Sequence, residues 1–103
     1  MIRVAGPTTE ADALEWTRDA FLRERFRVTR HFREGMSDHD VEWGDVRNII
    51  EKATRCTAYP GTPKNGGTNW RLLGPKIDGD ERGIGVEAYA DVDGNWVVLV
   101  TTF

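Results

Sequence analysis

GIGVEAYADVDGNWVVLVTTF, residues 83–103, is the stretch on which the fold turns. Ile84, Val86, Ala88, Ala90 and Val92 alternate with Gly85, Glu87, Tyr89 and Asp91, the period of a half-buried strand. Asp93 and Gly94 carry hairpin-turn chemistry, and residues 96–103 are β-branched and aromatic almost throughout, which predicts a strand buried on both faces. With a two-residue loop at Asp93-Gly94, Val92 faces Asn95, and the core face pairs Ala90 with Val97, Ala88 with Leu99 and Val86 with Thr101. The opposite face then sets Tyr89 beside Val98, Glu87 beside Val100 and Gly85 beside Thr102. A loop one residue longer would flip the last strand and bring Thr101 beside Glu87. Residues 70–76 supply a third strand, which carries Arg71 and whose end Pro75 confines to an edge or bulge. Between them, Asp78-Gly79-Asp80-Glu81 reads as an acidic turn at a hairpin tip.

Upstream of this meander the periodicity is helical. Thr9 and Asp12 stand at capping-box spacing, and Ala13, Trp16, Thr17, Ala20 and Phe21 form a stripe that predicts a packing helix to about Arg25. Ser37 and Asp40 repeat the box and predict a second helix over about 38–54, whose Trp43, Val46, Ile49, Ile50 and Ala53 face the sheet. Residues 59–67 are dense in turn formers and apolar only at Tyr59, so they read as a long loop, often a functional or mobile element.

The bulk properties bound the class. A chain of 103 residues with 39% hydrophobic and 30% charged residues reads as one domain with a real core. Its net charge of -3 gives no global nucleic-acid signal, and the single Cys56 allows neither an intrachain disulfide nor a cysteine zinc cluster. The first residues, Met1-Ile-Arg-Val-Ala-Gly, lack the apolar core of a secretory signal, and a cytoplasmic location is expected.

Locally, residues 23–34 reverse the global charge: Arg23, Arg25, Arg27, Arg30 and Arg33 accompany His31 against only Glu24 and Glu34. This is either a phosphate-tracking patch, led by Arg27, Arg30 and Arg33, or a solvated face paired with Asp38, Asp40, Glu42 and Asp45. The Asp91, Asp93 and Asn95 spacing echoes a calcium loop, but its glycine falls at the wrong position and no distal Glu follows, so no metal site is expected. Gly83-Ile-Gly85 is too short and strand-like for a nucleotide fingerprint, and no cofactor is expected.

The order of motifs resembles a small bacterial domain family of unknown function. Thr29-Arg30-His31-Phe32, followed by Ser37-Asp38-His39-Asp40-Val41, is similar to its T-K-H-x-x-x-R-M and I-S-x-x-D-V segments. Arg71-Leu72-Leu73-Gly74, Gly85-Val86-Glu87 and Val98-Leu99-Val100-Thr101-Thr102-Phe103 look like its R-x-x-G, V-x-V and V-V-x-V-T-x-Y/F ending. The resemblance covers about 28–103 and leaves residues 1–27 as an N-terminal helical addition. Gly35 replaces the arginine expected one turn after the histidine, and the arginine before the Ile-Ser pair is absent. That family is in turn similar to the RelE-like and BrnT-like ribonucleases of toxin-antitoxin modules. The resemblance implies a RelE-like α+β domain: two main helices and a short helical turn on a three- to four-stranded antiparallel sheet. It also implies RNA as the target and an antitoxin protein as the partner.

A metal-independent ribonuclease needs a base, an acid and a cation at the developing phosphorane charge. His31 has the pKa range for either proton transfer, Glu87 or Tyr89 would supply the other, and Arg71 with Arg33 would clamp the phosphate. The structural alternatives are as concrete: His31 packs beneath the sheet, Glu87 pairs with Arg71 across neighbouring strands, and Tyr89 covers a solvated face. A competing class is a non-catalytic protein-binding module of the immunity or antitoxin kind. The net charge argues for that class and the arginine cluster for the first.

Overall fold

The computed structural model describes residues 5–103, and the expectation for the first four residues lies outside them. The fold is α+β, in the order α1 (Glu10–Leu22), β1 (Phe26–Val28), α2 (Arg30–Asp38), α3 (Trp43–Lys52), β2 (Arg55–Ala58), β3 (Thr68–Pro75), β4 (Glu81–Asp91) and β5 (Gly94–Thr102). The expected meander is its centre, but the sheet has five strands and is mixed, in the order β1-β5-β4-β3-β2. β1 runs parallel to β5, with Arg27 opposite Val98, and β2 pairs antiparallel with β3.

Thr9 caps α1 as its spacing predicts, its Oγ1 accepting the Asp12 N–H at 3.2 Å. The helix lays Ala13, Thr17 and Ala20 against the sheet, and small residues let it approach closely. It ends where Glu24 turns left-handed at φ 59°. Thr29 then does two jobs: its Oγ1 accepts the Phe32 N–H at 3.0 Å, capping α2, and donates to the Val100 carbonyl at 2.8 Å, pinning that helix to β5.

The Ser37/Asp40 box does not start a helix. Both residues belong to the end of α2, a full nine-residue helix rather than a short turn, because Asp40 goes left-handed at φ 53° and Val41 folds back into the core with its N–H on the Met36 carbonyl. α3 begins later, at Trp43, where the Asp45 carboxylate accepts the Glu42 N–H at 3.0 Å and, with its other oxygen, the Ile77 N–H at 3.0 Å. Those two N–H groups hold the Asp45 carboxyl below its ordinary value. Its folded-state pKa therefore lies under its unfolded one. The stabilisation is complete above about pH 4 and is lost as pH falls through the depressed folded value. Asp45→Asn is expected to lower stability at pH 7 and to flatten the acid limb of a urea-midpoint profile; a limb unchanged below pH 4 would remove this role.

All three helices lie on one side of the sheet. Phe32, Ile49, Ile50, Leu72, Ile84 and Leu99 are the largest side chains sealed between the layers. Arg18 ties α1 to α3 by donating to the Ile50 and Ala53 carbonyls at 3.0 and 3.2 Å. The last hairpin turns one step earlier than expected, with Asp91 opposite Gly94, so Ala88 pairs with Val97, Glu87 with Val98 and Tyr89 with Trp96. This two-residue shift preserves the faces. A bulge opposite Gly85 and Val86 then leaves Val100 unmatched and swaps the strand end: Thr101 joins Gly85, and Thr102 pairs with Ile84 on the helix side. β5 is accordingly buried at Val97, Val98 and Leu99 but only half-buried at Trp96, Val100 and Thr101. No helix among the described residues is long and apolar enough to cross a membrane.

Candidate functional site: the helix-free face of the sheet

Strand parity delivers Asn69 and Arg71 from β3, Gly83, Gly85, Glu87 and Tyr89 from β4, Trp96 and Val98 from β5 and Arg27 from β1 to the face without helices. Residues 59–67 cross this face. Their anchor is Glu87, which is 3% exposed. Its Oε2 accepts the Asn65 N–H at 2.9 Å and the Gly67 N–H at 3.0 Å, and its Oε1 accepts the Asn65 side-chain amide at 3.0 Å and the Asn65 N–H at 3.2 Å. Three N–H groups make these four contacts, the Asn65 N–H being shared between the two oxygens, so both oxygens are occupied by donors from the loop. The expected Glu87–Arg71 pair does not form.

Arg71 instead lies over the Phe103 ring, its guanidinium carbon 4.2 Å from the centroid, and Tyr59 meets the same ring edge-on at 5.4 Å. Glycines make the room: a Cβ on Gly83 would sit 3.3 Å from Arg71 Nε, and one on Gly85 2.7 Å from Thr101 Cγ2. Across the sheet Arg27 lies over Trp96 at 5.5 Å. The face therefore carries two guanidinium groups, each seated on an aromatic ring. Most of the acidic residues stand on the helices and at the hairpin tips, and Glu87 is enclosed by N–H donors.

The proposed proton-transfer groups are not assembled. Tyr89 reaches this face but is 4% exposed, its hydroxyl has no hydrogen-bond partner, and burial holds the phenol above its ordinary value against the opposing pull of Arg27. His31 is exposed on α2, outside the lining of the cavity under the loop. Arg30 is solvated and pairs with Glu34 at 3.1 Å, and Arg33 is exposed on the same helix, so of Arg27, Arg30 and Arg33 it is Arg27 that joins the sheet face. The pairing of these arginines is not with the acidic run of residues 38–45: Arg23 pairs with Asp19 at 2.9 Å. Burial pushes the Cys56 thiol up to about 11, which keeps it protonated and unreactive. Among the described residues no three His, Cys, Asp or Glu side chains are grouped as a metal ion would require.

Two concavities frame these groups. One, of about 180 Å³, lies between the loop and the sheet, roofed by Tyr59, Thr62, Lys64 and Asn65 and floored by Val98, Val100 and Thr101. The other, of about 780 Å³, is a cleft on the helix side between α1 and α3, lined by Phe21, Leu22, Phe26, Trp43 and Ile50. Sequence reasoning missed Tyr59, Lys64, Trp96 and Phe103 as site residues. The signal available for them was an aromatic residue at each end of the open face, legible only once the pairing was known. No family model, no curated protein and no solved structure matches this chain.

Proposed function

We propose that the chain binds single-stranded RNA across the helix-free sheet face, as a degenerate relative of the toxin-like, metal-independent ribonucleases it resembles. The observation that carries this reading is the pair of arginine-aromatic stacks, Arg27 on Trp96 and Arg71 on Phe103, on one face of one sheet. Each couples a fixed cation for a phosphate to a flat ring for a base. Unpaired RNA asks for both, and base stacking on an aromatic side chain is worth about 1–3 kcal/mol. Cleavage is not part of the proposal, since Glu87 is consumed in holding the loop and His31 lies off the cavity.

Labelled single-stranded RNA, followed by fluorescence anisotropy, tests it. Arg71→Ala and Arg27→Ala, both at exposed side chains, are expected to weaken binding about tenfold each and to reduce its salt dependence, while the RNA stays intact. Binding indifferent to both substitutions overturns the reading. RNA cut by the wild type and spared by His31→Ala would replace it with the enzymatic one.

A protein-binding module is the second reading, favoured by the helix-side cleft, where Leu22 is 71% and Trp43 43% exposed. A protein partner, of the antitoxin kind, would dock there, on the other side of the sheet from the RNA. Leu22→Ser and Trp43→Ser should then leave RNA affinity unchanged.

A further inference from the structure

We infer that the roofed cavity between the loop and the sheet is a reading pocket for one single-ring base, a pyrimidine, of the bound RNA strand. This deepens the RNA-binding reading and rests on it. Size is the first argument. The cavity measures about 180 Å³, and an apolar cavity of about 150 Å³ holds benzene, so one six-membered ring with its substituents fills the space and the second ring of a purine exceeds it.

Lining is the second. Val98 and Val100 offer an apolar bed and Tyr59 an aromatic wall, as a flat heterocycle requires. The polar groups that remain are specific ones. Asn65 donates one amide N–H to Glu87 and Asn69 donates one to the Gly61 carbonyl at 3.2 Å, which fixes the side on which each nitrogen lies and leaves both Oδ1 atoms to accept. A pyrimidine edge carries the N–H donors that those acceptors fit. Glu87 itself reads nothing, since its oxygens are filled from the loop; its part is to hold the roof at the height of one ring.

Position is the third argument. Tyr59, in the cavity wall, touches Phe103, and Phe103 carries Arg71, so a fixed cation stands one aromatic ring from the pocket. Lys64 lines the cavity itself. A base in the cavity thus places its own phosphate, or its neighbour's, between two cations.

The test uses the full chain and four RNA octamers: oligouridylate, oligocytidylate, oligoadenylate and an abasic backbone. At least one pyrimidine octamer should bind about tenfold more tightly than the adenylate and abasic strands. Val100→Phe, which fills the cavity from the floor, should bring that octamer to the level of the adenylate while leaving the adenylate unchanged. Thr62→Phe fills it from the exposed loop and should do the same without touching the sheet. Adenylate bound as well as the pyrimidines, or a pyrimidine preference surviving both substitutions, overturns the pocket and leaves RNA binding standing. No binding by any octamer overturns the RNA reading itself, and the pocket with it.

Discussion

Glu87→Ala is expected to lower the unfolding free energy by about 3 kcal/mol, because it orphans three N–H donors at roughly 1 kcal/mol or more each. The donors are the Asn65 backbone and side-chain amides and the Gly67 backbone amide, all now directed at one carboxylate that is 3% exposed. For a domain of this size the loss corresponds to a melting temperature lower by roughly 10–20 °C. Glu87→Gln should behave quite differently. If its amide nitrogen takes the position facing the Asn65 side chain, that side chain can rotate to present its oxygen, and the remaining oxygen still accepts the Asn65 and Gly67 N–H groups. Only charge assistance is lost, about 1 kcal/mol. Urea unfolding of both variants, with hydrogen exchange at the Asn65 and Gly67 amides, separates the cases.

The contrast bears on function. A carboxylate acting as general acid or base is disabled by glutamine whatever happens to stability, whereas a loop anchor tolerates glutamine and fails with alanine. The expected ranking for RNA affinity is therefore wild type, then Glu87→Gln, lower by the one Asn65 acceptor that the rotation turns from the cavity toward residue 87, then Glu87→Ala well below both. The loop has a second reason to be sensitive: a Cβ on Gly67 would lie 2.7 Å from the Tyr89 Cβ, so the chain descends onto the sheet with no room for a side chain. An alanine variant whose stability and loop exchange match the wild type would remove the anchor role.

The faces of β4 and β5 were legible in the sequence because alternation is a local property, and a register error of two residues leaves it intact. Glu87 and Tyr89 were placed on the correct side for that reason alone. The bulge at Val100 was hidden, since the residues on either side of it alternate acceptably and only the partner strand reveals the unmatched one. β1 and β2 were hidden for a related cause. Phe26-Arg27-Val28 alternates once, within an arginine-rich run, and Arg55–Ala58 follows a helix closely enough to read as its tail. Both are edge strands whose existence depends on a neighbour far along the chain. Ser37 and Asp40 mimicked a helix start because capping chemistry is local, whereas the burial of Val41 that ends α2 is tertiary. The role of Glu87 was invisible for the same reason: its donors lie 20 and 22 residues away, in a segment with no periodicity.

Gly74→Val should cost about 4 kcal/mol, the largest effect expected of any single substitution discussed. A Cβ at this position in β3 would lie 2.6 Å from the Ile49 carbonyl oxygen, 3.0 Å from the Ala53 Cα and 3.2 Å from the Ile49 Cα. Every one of these atoms is backbone of α3 or of its C-cap Ala53, so no rotamer change relieves the contact; the helix must lift. Overpacking of this kind costs about 1–3 kcal/mol where side chains can yield, and more where they cannot. Lifting α3 also strains what is fastened to the same stretch: the Arg18 bonds to Ile50 and Ala53, and the Asn48 side-chain amide donating to the Pro75 carbonyl at 2.9 Å. Gly44→Ala is the control. It stands on α3 as well, but its added methyl meets only the end of the Ile77 side chain at 3.0 Å, and that side chain is 70% exposed and free to move. Alanine improves the helix there by about 0.5 kcal/mol. The two glycine substitutions should therefore move the urea midpoint in opposite directions, and a Gly74→Val protein as stable as the Gly44→Ala one would mean that α3 does not rest on β3 at this point.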